Sequence, residues 1–151
     1  MMADLSLQKQ NIVNHRVSVG VRFHDISKLN FLQRCLISID AQSVVDPHIY
    51  LVTQDFSPSD LEMVDDVLVK SLSINASTYT LINIPNPNDL DLRAKLLNVI
   101  VQAHYADAAS SYLCFIDYDD VWYSHALKTL LSPLMGTAFA MSYADIHLAD
   151  I

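Results

Sequence analysis

Glycine is almost missing from this sequence. The 151 residues contain two, Gly20 and Gly136. A G-x-G-x-x-G dinucleotide loop and a Walker phosphate loop each need several glycines close together, so both are excluded. Positive charge is also scarce, with nine Lys and Arg against 17 Asp and Glu and a net charge of -8. Nucleic-acid binding rests on Lys and Arg displacing counterions, so nucleic acid is a poor partner, none is expected, and a divalent cation suits the chain better. There are two cysteines, Cys35 and Cys114, set in apolar stretches without zinc-ligand spacing. They read as free buried thiols of a reducing compartment. No apolar run approaches the roughly 18 residues of a membrane span. The opening, "MMADLSLQKQNIVNHR", is polar and lacks the apolar core of a signal peptide. A cytoplasmic protein with no transmembrane segment is therefore expected, and Asn75-Ala76-Ser77 is an accidental glycosylation sequon.

What the chain does have is apolar material, 52% of it, in alternating short runs and helical periods. A domain of this length buries about 68–70% of the surface its unfolded chain exposes. "VSVGV" (Val17 to Val21), "HIYLVT" (His48 to Thr53), "TYTLINI" (Thr78 to Ile84) and "YLCFI" (Tyr112 to Ile116) read as strands. "TAFAMSYA" (Thr137 to Ala144) reads as a fifth. Between them, Leu29, Leu32, Leu36 and Ile39 recur at helical spacing from about Ser27 to Gln42. A second helix starts near Ser59, with Ser59 and Glu62 in a capping-box pattern. A third runs from about Asp91 to His104, and a fourth follows Ser124 and ends near Gly136. Alternating strand and helix predicts an α/β fold, with a mainly parallel sheet covered on both faces. Residues 1–16 form a polar arm and residues 17–151 one domain.

In open α/β sheets, ligands bind outside the carboxyl ends of the strands. Arg22 to Asp25 follow the first strand, Asp55 the second, and Asp117, Asp119 and Asp120 the fourth. The stretch "FIDYDDVW" thus crowds three carboxylates onto that rim directly after a buried strand. Carboxylates this close repel unless a cation or protons intervene. Mg²⁺ and Mn²⁺ take one or two carboxylates together with substrate phosphates. A turn starting at Tyr118 would let Asp117 and Asp119 address one cation. Tyr118 and Trp122 are expected to pack against the rim.

"VSVGVRFHD" with its following helix, then "QSVVDPHIYLVTQDFS", resembles the opening of family 2 glycosyltransferases with the GT-A fold. "RAKLLN" (Arg93 to Asn98) is similar to a segment of that family's third helix, and "SYLCFIDYDDVWYSHALKTLL" to its metal-binding segment. The resemblance covers roughly residues 16 to 145. It implies a GT-A, Rossmann-like three-layer sandwich binding a nucleotide-diphosphate sugar, most readily a UDP-sugar, for inverting glycosyl transfer. By that likeness Asp119 is the main Mn²⁺ or Mg²⁺ ligand and Asp117 assists through the metal or the ribose. Asp55 holds the nucleotide base, Arg22 and Phe23 line the base pocket, and Arg93 or Lys95 approaches the pyrophosphate. This sequence departs from the pattern in three places: "HYADAA" is inserted after the third helix, Ser110-Ser111 replaces a glycine, and "TQDFS" replaces paired acids.

No catalytic base is recognisable. Asp145 and Asp150 are available acids without a base motif, and the acceptor half of such an enzyme is expected to be absent. The chain is therefore expected to be inactive alone and to self-associate through the segment Thr137 to Ile151. Two other readings compete with donor binding. One is a noncatalytic binding or assembly module of the same fold. The other is a haloacid-dehalogenase-like phosphatase with Asp117 as nucleophile and Asp119 as general acid.

Overall fold

The computed structural model describes residues 16–43, 45–138 and 141–142. Four strands form one all-parallel sheet in the order β3-β2-β1-β4. They are β1 (Arg16–Phe23), β2 (Asp46–Gln54), β3 (Thr78–Ile84) and β4 (Ser110–Asp117). The helices are α1 (Leu29–Asp40), α2 (Pro58–Ser71), α3 (Arg93–Ala106) and α4 (Ala126–Leu131), and a 3-10 turn (Ile26–Lys28) precedes α1. This is the expected three-layer α/β arrangement. Of the proposed fifth strand, Thr137, Ala138, Met141 and Ser142 are described and carry no strand. The rest of that segment, with Asp145 and Asp150, lies outside the described residues, as does nearly all of the polar arm.

Strand periodicity of two decides which layer each side chain joins. On β1, Val17, Val19, Val21 and Phe23 enter one core with Leu32, Leu36 and Ile39 of α1, Val64 and Leu68 of α2, and Leu127 and Leu131 of α4. The alternate residues Ser18, Gly20 and Arg22 face the α3 layer, where Tyr50, Val52, Leu96 and Ile100 form a second core. Gly20 lets α3 lie close to the sheet: a Cβ there would meet Ile100 Cγ2 at 2.6 Å and Phe115 Cδ1 at 2.9 Å.

Three local expectations shift. The capping box of α2 is Ser57 with Asp60, not Ser59 with Glu62. Pro58 at the first turn needs no N–H partner, so the cap moves two residues earlier and the helix starts at Pro58. There, Ser57 Oγ accepts the Asp60 N–H at 3.2 Å and Asp60 Oδ2 accepts the Ser57 N–H at 3.0 Å. Helix α3 begins at Arg93, because the Asp91 carboxylate accepts the Arg93 N–H at 3.0 Å. The helix also runs two residues past His104, to Ala106 within the inserted "HYADAA", which then brings Asp107 within 3.6 Å of Arg16 Nη2 at the start of β1.

The sequon residues have structural work. Asp40 is buried at the end of α1. Its carboxylate accepts the N–H groups of Ile74 and Asn75 at 2.9 Å each and of Ser77 at 3.1 Å. The Asn75 side chain donates to the Asp40 carbonyl oxygen. These bonds hold the loop between α2 and β3.

Candidate functional site: a cleft at the carboxyl ends of β1 and β4

The sheet order reverses between β1 and β4, where chain connections leave in opposite directions. That is where an open α/β sheet presents its crevice. A cleft of about 340 Å³ lies there, walled by Arg22 and His24 of the first strand end and by Gln54 of the second. Asp117 and Tyr118 of the fourth strand end, and Leu90 to Arg93 with Leu96 before and within α3, complete it.

Arg22 and Asp117 are partners in the β1–β4 register, and Arg22 Nη2 donates to Asp117 Oδ1 at 2.9 Å. Arg93 also faces the cleft, gripped by Asp91: its Nε donates to both Asp91 oxygens at 3.0 Å. That bonding holds the Asp91 carboxyl down to about 2. The acidic segment turns as expected, with the Asp120 N–H donating to the Asp117 carbonyl at 3.0 Å. Desolvation, then the charges of Asp119 and Asp117, raises Asp120 above its ordinary value. Asp119 is exposed on the turn. Among the described residues, no three His, Cys, Asp or Glu side chains gather as a metal-binding group.

The turn is supported from below. Ser38 Oγ accepts the Trp122 N–H at 3.1 Å, Gln42 bonds the backbone of Tyr123 and Leu127, and the Ser43 N–H donates to Ser124 O at 2.8 Å. Cys35 Sγ lies 3.6 Å from the Asp117 carbonyl oxygen.

The residues singled out from sequence divide. Arg22, Arg93 and Asp117 meet in the cleft, and Asp119 sits beside it on the turn. Phe23 does not reach the cleft. One residue after Arg22, its side chain takes the opposite face of β1, is fully buried, and packs edge-on against Phe56 at 5.6 Å and Tyr118 at 5.2 Å. The ring supports the rim and does not line a pocket. Lys95 is exposed and stands outside the cleft lining.

Asp55 follows β2, two strand spacings from Asp117, or roughly 10 Å across the sheet. It adopts a left-handed conformation, φ 53°, which Asp tolerates better than most residues. Its Oδ1 accepts the Asn86 N–H at 3.4 Å. Asn86 in turn exchanges hydrogen bonds with the backbone of Leu90, at 2.9 and 3.0 Å. Asp55 thus connects to the loop that walls the cleft.

Sequence reasoning missed Gln54 and Asp91 as cleft residues, while His24 lies in the Arg22 to Asp25 segment expected on the rim. Tyr118 packs against the rim as expected, with its ring 5.6 Å from His24, and also lines the cleft. For Gln54 a signal existed: it is the last residue of a strand whose alternation points it to the Arg22 side.

No family model matches the chain, and no curated protein matches it. Solved structures do match. A crystal structure of S. aureus TarS superposes with a TM-score of 0.54 at 19% identity, over 76% of this chain and 18% of that one. The structure of TarS 1-349 gives 0.53, and that of TarS 1-349 in complex with UDP gives 0.50. Both are at 19% identity, over 76% of this chain and 30% of that one. This chain therefore spans less than a third of the length of the structures it matches. TarS is a glycosyltransferase, and at this identity the likeness is one of fold. The chain has the α/β fold of the GT-A-type N-terminal part of TarS.

Proposed function

We propose that this chain is the donor-binding part of a glycosyltransferase, holding a nucleotide-diphosphate sugar in the β1–β4 cleft for inverting transfer. The observation that carries the reading is the cleft itself: two guanidinium groups and the acidic turn converge at the switch point of a sheet shared with TarS, of which one structure is a complex with UDP. UDP-sugars are the ligands we assign. Asp119 and Asp117 supply hard carboxylate oxygens, a donor set that suits Mn²⁺ or Mg²⁺ when phosphate oxygens complete the shell. A bound cation would offset the charge developing on the leaving diphosphate. Arg22, which the likeness assigns to the base pocket, shares the cleft with Arg93, and we assign both guanidinium groups to the diphosphate instead; Lys95 is a surface cation nearby in sequence. To Asp55, about two strands away, we assign the base, since its carboxylate would accept the imide N–H of uracil.

Calorimetry with UDP and Mn²⁺ tests this. Each should bind better in the presence of the other, and Asp119→Asn should abolish the synergy. Asp55→Ala should weaken UDP by roughly 1–3 kcal/mol and leave pyrophosphate nearly unchanged. Equal UDP affinity with and without metal in the wild type would overturn the metal-bridged reading.

A further inference from the structure

The charges on the cleft wall are already spoken for. Arg22 pairs with Asp117 and Arg93 with Asp91, so two cations and two anions cancel around one cavity. A diphosphate entering it meets a favourable field only if one pair opens. The two pairs are not equally held. Asp91 and Arg93 are two residues apart, and Asp91 binds both the side chain and the backbone N–H of Arg93. Arg22 and Asp117 stand on separate strands and share a single hydrogen bond. Arg22 is the more enclosed partner, with its side chain 24% exposed against 58% for Asp117.

We infer that Arg22 is a partner-exchange residue. In the ligand-free protein it occupies Asp117, and on binding it passes to the diphosphate, releasing the Asp117 carboxylate to the cation beside Asp119. This deepens the donor-binding reading above and rests on it. Cation and nucleotide are then coupled through Arg22 as well as through shared coordination. Arg22 occupies one oxygen of the carboxylate until an anion takes its place, so free cation is bound less well by the empty cleft.

The test uses the full chain, with Mn²⁺ and UDP as probes, titrated separately and together by calorimetry. Thermal melts confirm that each variant is folded. Arg22→Gln should raise the affinity for Mn²⁺ alone several-fold and shrink the enhancement that UDP gives. Asp117→Asn leaves Arg22 free and should tighten metal-free UDP several-fold. Shared coordination alone gives neither gain. Unchanged or weaker Mn²⁺ binding in folded Arg22→Gln would overturn the exchange, as would unimproved metal-free UDP binding in Asp117→Asn. Wild-type protein that binds neither probe overturns the donor-binding reading, and the exchange falls with it. Wild-type protein that binds both, with variants that show no gain, overturns the exchange alone.

Discussion

The Gln42 carboxamide joins the end of α1 to Leu127 in α4, its Oε1 accepting the Leu127 N–H at 2.9 Å. Its Nε2 donates to the carbonyls of Tyr123 at 2.8 Å and Ser38 at 3.0 Å. One buried side chain thus satisfies three backbone groups and fixes the segment that leaves the acidic turn. Gln42→Ala leaves them unmatched and should cost roughly 1–3 kcal/mol in urea denaturation. A loss of only a few tenths would mean that water replaces the amide without penalty.

Gly20→Ala should destabilise the fold by about 1–3 kcal/mol through overpacking. The new methyl would press on Ile100 and Phe115. Because Ile100 is itself fully buried, it has little room to retreat. Ile100→Ala in the Gly20→Ala background should cost less than the two single changes summed. Additive losses in denaturant melts would argue against a direct clash.

Stability should fall in acid partly through Asp40. Burial opposes its charge, but hydrogen bonds from Ser77, Asn75 and Ile74 outweigh that and hold the carboxyl below its ordinary value. A depressed folded value gives stability that is full above the unfolded one, about 3.9, and is lost as pH falls through the folded one. The stability gap between wild type and Asp40→Asn should therefore be constant above about pH 5 and close on acidification. A gap that stays constant to pH 2 would show that the charge is not what binds the loop.

Cys35 should resist alkylation in the folded protein. Desolvation first, then the charges of Asp120, Asp119 and Asp117, pushes its thiol up to about 12, and desolvation takes Cys114, which is half-buried where full burial is expected from sequence, to about 12 as well. At pH 8 iodoacetamide should label neither within the time that labels both in urea, since the thiolate is the reactive form. Rapid labelling of Cys35 in the native state would place the acidic turn elsewhere.

Periodic features were legible because each depends on near neighbours in sequence. "TYTLINI" ends where Pro85 removes a donor, and β3 runs from Thr78 to Ile84 as read. The rim position of Arg22 and Asp117 followed from strand direction alone. Phe23 was misplaced although the alternation of Val17, Val19 and Val21 already assigned it to the core face. Asp91 was invisible as a cleft residue because its position depends on how the loop from Asn86 to Leu92 returns over the sheet. Nothing in the local pattern encodes that path. The choice of Ser57 over Ser59 as cap turned on Pro58, a local signal outweighed by the more familiar Ser-x-x-Glu pattern.

Strand β1 pairs with β2 some thirty residues on, and β2 with β3 about thirty further, but its pairing with β4 closes a separation of 95 residues between Arg22 and Asp117. Loop closure grows costlier with length, and distant pairings slow folding. The β1–β4 seam is therefore the most expensive join among the described strands. A chain with β1 to β3 assembled would have much of its core but would lack Asp117, and with it the ion pair of Arg22 and the acidic turn. A ligand that binds only the finished cleft stabilises the folded state by mass action, so it would offset the cost of the seam with the longest closure.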